Sequence, residues 1–426
     1  MRILETDRDP AGEITAALKP VESDANLELE KTVREIIADV RTRGDQALID
    51  YGRQFDSPYL DHLPATSAEF EEAYSIVDPS LLAAIKTAKA NIEKFHRNQV
   101  QKSWIESSEA FTYGQIVRPI EKVGIYAPAR LAPLPSTVLM TAVPAVVAGV
   151  KEILLCSPPR ENGKIDPTML VAARECGVEK VYAVGGAPAA AAMAYGTQSV
   201  PKVDKIVGPG NAFFVEAKRQ LYGKVGIDQL AGPSEILVLA DDSANPTYVA
   251  ADILSQAEHA EDSRCALITN SRQLADAVLK EVRAQTDLAL RSELIHKSLD
   301  GFGVIVITRD MDEAVDLANE FAPEHLEVVT RSPWETLKRI KNAGTILLGG
   351  YTPVPLCDYA AGPNHTLPTG GTARFSSALS VDDFIKKSGL LSYSEEALSA
   401  IAPTVVEMAK AEGLDAHANT IRIRTK

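Results

Sequence analysis

The sequence predicts an α/β protein with two parallel sheets in succession, framed by a helical N-terminal arm and a helical C-terminal tail. Two observations carry that expectation. From Val123 onward, short β-rich runs alternate with helix-length segments, and such alternation builds parallel sheets covered on both faces. Near Gly232 the alternation starts afresh, so two sheets are expected rather than one long one. The divisions that follow are 1–120, 121–232, 233–380 and 381–426.

In the first region, the run LELEKTVREIIADVRTRGDQALIDYGRQF spaces its apolar residues at three and four, with Gly44 at a break, which is the period of amphipathic helices. The first α/β block reads KVGIY, a helix over 138–149, EILLC, the helix TMLVAARECG, KVYAV, the helix AAAAMAYGT, DKIVG and the helix NAFFVEAKRQLYG. The second reads EILVLA, a helix through Gln256 and His259, CALIT, a helix over 271–285, GVIVIT, MDEAVDLANEF, LEVVT, WETLKRIKNAG and TILLG. The blocks are similar in length and suggest a duplication, although no residue-level repeat is visible. Beyond Phe384 the pattern returns to helix; this tail is too short for a domain and is expected to pack on the rest of the molecule or on a partner chain.

The bulk composition excludes several classes. At 426 residues and 45% apolar, the chain can bury more than one core. A net charge of −14 repels phosphate backbones and anionic membrane surfaces, so no nucleic acid and no membrane is expected as a partner. The longest apolar run, over 138–150, is too short to span a bilayer and contains Pro144 and Gly149. The opening MRILETDRDPAGE carries charges where a signal peptide needs apolar residues, which points to the cytoplasm. Cys156, Cys176, Cys265 and Cys357 are widely spaced without a C-x-x-C, so neither a disulfide framework nor a thiolate zinc site is written here.

The candidate chemistry lies in the second half. In FAPEHLEV, Glu324 and His325 sit between a helical and a strand pattern; by itself such a pair is more often solvated surface than an acid/base pair. In ILSQAEHAED, Gln256 and His259 are three apart on an expected helix, so one face can offer an amide oxygen and an imidazole to the same ion. The loop over 349–374 is dense in Pro and Gly yet carries Asp358 and His365, and long irregular loops inside compact domains are usually functional or disordered. Near the end, Gly413 would stop a helix and leave Glu412 and His417 flanking a turn. A Gln, His, Asp, His set of N/O donors suits zinc or a similar divalent ion. In IVGPGNAFFVEAKRQ a strand runs through a glycine turn into a helix, leaving backbone N–H groups able to meet a phosphate; a tight connection explains the pattern equally well. Ser234, just before EILVLA, is either a turn residue or a substrate contact.

Taken together, PSTVLMTAVPA, KIVGPGN, AGPSEILV, LSQAEH, FAPEHLE, DYAAGPNHTLPTGGTARF and EGL…AH resemble the histidinol dehydrogenase family in order and spacing over most of the chain. The resemblance implies two incomplete Rossmann-like α/β domains and a zinc-dependent, NAD-linked oxidation of L-histidinol to L-histidine through a bound aldehyde. It implies zinc ligands at Gln256, His259, Asp358 and His417, and substrate contacts at Ser234, His365 and Glu412 as well as at the ligand positions and His325. Glu324 and His325 match the catalytic pair, Glu324 to hydrate the aldehyde and His325 to take the alcohol proton. A homodimer is implied as well, with Glu412 and His417 reaching the neighbouring subunit's site. On the cofactor side Tyr126, Pro188 and Asn211 fall on NAD-contacting positions, but Pro188 replaces the family's usual glutamine, and Ala129 and Arg130 replace a usual glycine pair. These departures keep open two alternatives: a paralogue that oxidises another small alcohol, and a non-catalytic zinc-binding dimer with a lost cofactor site.

Overall fold

The computed structural model describes residues 1–18, 26–129 and 132–425. Its strands, in chain order, are β1 (Arg2–Glu5), β2 (Trp104–Ser107), β3 (Phe111–Pro119), β4 (Lys122–Tyr126), β5 (Glu152–Ser157), β6 (Lys180–Ala183), β7 (Lys205–Val207), β8 (Gly226–Ile227), β9 (Glu235–Ala240), β10 (Arg264–Thr269), β11 (Gly303–Ile307), β12 (His325–Val329), β13 (Thr345–Leu348) and β14 (Ile385–Tyr393). A five-stranded sheet runs β6-β5-β4-β7-β8, and a six-stranded sheet runs β1-β11-β10-β9-β12-β13. Every pairing in both is parallel. Counted within its own block, each sheet has the order 3-2-1-4-5, the winding of a dinucleotide-binding half. The similarity of the two blocks is therefore one of topology, which sequence need not retain.

The central strands bury both faces. Glu235–Ala240 and Arg264–Thr269 are buried along their whole length, which is why they read as apolar runs without alternation. The helices Leu27–Arg43, Asp45–Phe55, Ser67–Ile76 and Pro79–Arg97 pack Val33, Ile36, Leu48, Phe70 and Ile92 into one core with Val123, Ile125 and Leu154 of the first sheet. Gly44, at φ +59, makes the break between the first two of these helices. The second sheet has a core on each face.

Three sequence expectations are corrected. Residues 1–120 are not simply a helical region: β1 pairs with β11 in the second sheet, and the Ala11–Leu18 helix adds Ile14 and Leu18 to that sheet's core. The tail beyond 381 is not purely helical either, since β14 pairs antiparallel with β3 before the helices Glu395–Ala411 and Asp415–Arg422. β1 and β14 pair with strands distant in the chain, so local periodicity does not reveal them; β3 also forms a local antiparallel hairpin with β2. Third, the loop over 349–374 contains a short helix, Val354–Tyr359, and a 3₁₀ turn, Thr372–Arg374. All four cysteines are free and buried. Among the described residues no helix is long and apolar enough to cross a membrane.

Candidate active site

A cavity of about 640 Å³ lies between the two sheets. They meet it with opposite ends. The first sheet contributes its carboxyl edge: Tyr126 ends β4, and the segments 185–188 and 209–211 follow β6 and β7. The second contributes its amino edge, with Ser234 just before β9 and Glu324 and His325 at the start of β12. Gln256 and His259 arrive there because the Pro246–Ala257 helix runs back from the far end of β9, so that its carboxyl end faces the cavity.

His325 is the most constrained group in the cluster, only 2% exposed. Its Nδ1 lies 3.1 Å from the Glu235 carbonyl oxygen and 3.3 Å from Gln256 Nε2, and its Nε2 lies 3.3 Å from Asp358 Oδ1. A protonated ring donates to the Glu235 carbonyl and to Asp358 together. Burial pulls its pKa down, but the Glu324 charge and the Asp358 hydrogen bond outweigh that and hold it well above the ordinary histidine value. Glu324, also buried, accepts a hydrogen bond from Glu235 N–H at 2.7 Å through Oε2, which stands 3.6 Å from His325 Nδ1.

Burial would raise the Asp358 carboxyl, yet His325, through its hydrogen bond and charge, keeps it below the usual range. The Asp358 carbonyl oxygen accepts from His365 Nδ1 at 3.0 Å, and His365 Nε2 sits 3.4 Å from Thr137 Oγ1. Burial lowers the His365 pKa, which favours the neutral ring, with its Nδ1 proton committed to the Asp358 carbonyl and its Nε2 facing the Thr137 hydroxyl.

Gln256 is 1% exposed, and its buried Oε1 has no hydrogen-bond partner. Leaving an amide oxygen desolvated and unpaired costs about 1–3 kcal/mol, so this orphan acceptor fits a cation. His259, expected one helical turn along the same face, lies instead in the exposed turn just past the Pro246–Ala257 helix, its N–H bonded to the Gln256 carbonyl at 3.1 Å. It still lines the cavity with Gln256 and Asp358. Glu412, the C-cap of the Glu395–Ala411 helix, and His417, in the Asp415–Arg422 helix, are exposed and do not line the cavity of their own chain. Among the described residues no group of three His, Cys, Asp or Glu is close enough to hold a metal by itself.

The first-sheet side is built differently. The Tyr126 ring stacks on Phe214 at 4.0 Å between centroids, and its hydroxyl accepts from Gly186 N–H at 3.0 Å. Asn211 caps the Ala212–Leu221 helix by accepting from Phe214 N–H at 3.0 Å. Not all backbone of the glycine turn is free for a phosphate: Gly208 N–H donates to Asp228 Oδ2 at 2.8 Å, and Gly208 O accepts from Lys218 Nζ at 3.1 Å. Lys218 and Asp228 form an ion pair, 1% and 3% exposed. Gly208 has φ +117, and a Cβ there would collide with the Tyr126 carbonyl. Pro188 is buried as the third residue of the Gly186–Tyr195 helix; an N–H there would have no helical partner in any case. Arg130 lies outside the described residues.

Sequence reasoning missed Glu235, Glu327, Asp252 and Thr137. Glu235 Oε1 is 3.9 Å from Arg264, and burial together with the Glu324 charge pushes its carboxyl up to about 7. The available signal was a glutamate inside an apolar strand run, in EILVLA and in HLEVV, since charged residues are almost never fully buried unless partnered.

The profile of the histidinol dehydrogenase family matches residues 19–425. The histidinol dehydrogenase of Clostridium acetobutylicum is 50% identical over 411 residues, covering 96% of this chain and 95% of that one. That of Listeria monocytogenes is 49% identical over 418 residues, covering 97% and 98%. The crystal structure of histidinol dehydrogenase from Elizabethkingia anophelis superposes with a TM-score of 0.94 at 38% identity, covering 100% of this chain and 98% of that one.

Proposed function

The chain belongs to the histidinol dehydrogenase family, and from that premise we propose how its cleft carries out the oxidation. It is an NAD-dependent oxidoreductase that converts histidinol to histidine in histidine biosynthesis. The observation that carries the site assignment is the convergence of His325, Asp358 and the orphan Gln256 Oε1 on one cavity wall.

In this reading His325 accepts the alcohol proton while the carbinol hydride passes to the nicotinamide, giving the aldehyde. The surrounding carboxylates favour its charged form, which makes the neutral ring a strong acceptor. Glu324, with Oε2 anchored by Glu235 N–H, has Oε1 left to take a proton from water as water adds to the aldehyde. As water adds, protonated His325 returns the first proton to the aldehyde oxygen, so the neutral ring can take a second proton from the hydrate as its hydride leaves for a second NAD, which would supply the acceptor when bound. His365 Nε2, held only by the long contact to the Thr137 hydroxyl, can exchange that donor for a substrate N–H, and Ser234 offers a hydroxyl at the same wall.

Gln256, His259 and Asp358 fit zinc, with His417 from a second copy of the chain as the fourth ligand; when bound, zinc supplies a Lewis-acid template that orients the amino alcohol. The carboxyl end of the Pro246–Ala257 helix adds a negative partial charge at that wall. On the other wall the helices Gly186–Tyr195 and Ala212–Leu221 present their amino ends, which favours the dinucleotide's pyrophosphate. A homodimer is supported by Glu412 and His417 lying exposed outside their own cavity, on a tail that also exposes Ile401, Met408, Leu414 and Ile423. Four free thiols suit the reducing cytoplasm.

The test is NADH formation from L-histidinol with the zinc-loaded protein. Two NADH per histidinol, with histidine as product, is the expected result; release of the aldehyde after a single NADH would overturn the role given to Glu324. Asp358→Ala should lose zinc, and unchanged zinc content would remove it from the ligand set.

A further inference from the structure

Two carboxyls beside the cluster, one buried and one half-buried, have no part in the chemistry above. Glu327 follows His325 by two residues on β12, so both side chains leave the same face of the strand. It is 2% exposed, and its Oε1 accepts a hydrogen bond from Val354 N–H at 2.9 Å, at the start of the Val354–Tyr359 helix. Its carboxyl is also hydrogen-bonded to that of Asp252, half-buried on the Pro246–Ala257 helix. Two carboxyls can share a hydrogen bond only through a proton on one of them. Burial raises both carboxyls; the Asp252 charge and hydrogen bond raise Glu327 further, while the same hydrogen bond works against the rise at Asp252.

The spacing along each element gives the pair its consequence. Asp252 precedes Gln256 by four residues on one helix, and Val354 precedes Asp358 by four on the other, so in each case the ligand position lies one turn further along the same face. We propose that Asp252 and Glu327 are positioning residues: their carboxyl pair, with the Val354 N–H, ties together the two helices and the strand that carry Gln256, Asp358 and His325, and so sets the metal-binding geometry. This rests on the reading of Gln256, His259 and Asp358 as metal ligands. The long-range attachment is needed because a helix of six residues is too short to hold itself in place.

The comparison that tests it uses zinc affinity of the chelator-stripped protein, measured by competition with a chromophoric chelator, alongside thermal unfolding without metal. Glu327→Leu keeps the volume and removes both hydrogen bonds; it should bind zinc about ten- to a hundredfold more weakly. Glu327→Gln can accept from Val354 N–H and donate to Asp252, and should match the parent. Equal affinities for the Leu and Gln variants overturn the proposal. If Glu327→Leu fails to fold, Asp252→Ala against Asp252→Asn repeats the contrast at the half-buried member, with weaker zinc binding expected only for Ala and equality again overturning it. Asp358→Ala separates the two readings: undiminished zinc binding there removes the ligand assignment beneath the proposal, whereas loss there with parental affinity in Glu327→Leu and Asp252→Ala removes the positioning role alone.

Discussion

The two walls of the cavity come from sheets of the same winding, yet they are built on opposite ends of their strands. At the first sheet the cavity meets strand carboxyl edges and helix amino ends, beside the point where strand order reverses between β4 and β7; this is where open α/β sheets ordinarily bind ligands. At the second sheet the corresponding strands, β9 and β12, turn their amino ends to the cavity. The chemical furnishing follows. One wall is glycine backbone, an aromatic stack and helix amino ends, suited to a dinucleotide; the other is a buried set of histidines and carboxylates at a helix carboxyl end, suited to a cation and to proton transfer. On the proposed reading, the same topology used from its two ends supplies both halves of a metal-assisted hydride transfer.

If that division of labour is right, the largest effects belong to the second wall. His325→Ala should lower kcat for both oxidations by about 10²–10⁴, whereas Glu324→Gln should spare the first more than the second; single-turnover NADH formation from histidinol and from the aldehyde separates them, and equal losses for Glu324→Gln would contradict its role. On the first wall, Lys218→Met leaves Asp228 buried without its cation, at a cost of about 3–5 kcal/mol. It also removes the donor that holds the Gly208 carbonyl, so a lowered melting temperature should come with a raised KM for NAD and little change in KM for histidinol.

Glu235 sharpens the contrast through pH. Its carboxyl is raised to about 7 in the folded protein from an ordinary 4.5. The stability tied to it is thus fully present below the unfolded value and is lost as pH rises through the folded one, a span worth about 3 kcal/mol by linkage. Glu235→Gln should therefore flatten the dependence of the denaturation midpoint between pH 5 and pH 8, raising it at the alkaline end. The smallest effect is expected at Pro188. Pro188→Gln restores a hydrogen-bonding side chain at the helix amino end, worth about 0.5–1.5 kcal/mol, so KM for NAD should fall a few-fold with kcat unchanged.

Legibility differed between the walls as well. The alternation of strands and helices, the helical 27–97 region and the stretches holding Glu324, His325, Gln256 and Asp358 could be read directly, because side-chain period and turn residues act locally. The strand β1 and the β3–β14 pairing could not, since a strand completed by a distant partner leaves almost no local trace. His259 was expected on the helix but lies two residues past its end at Ala257, because helix ends shift by a residue or two. The glycine turn looked like free backbone until Asp228 and Lys218, contributed by later segments, were seen to occupy Gly208.

The sequence by itself determined the fold class, the family and the residue types available for chemistry, since these rest on local periodicity and on motifs shared with relatives. Only the tertiary structure decided which ends of the two sheets face each other and which glutamates are buried. It alone also showed that Gln256 Oε1 is an orphan acceptor while Glu412 and His417 lie outside their own cavity. Those properties depend on desolvation and on neighbours far apart in the chain, which no local pattern encodes.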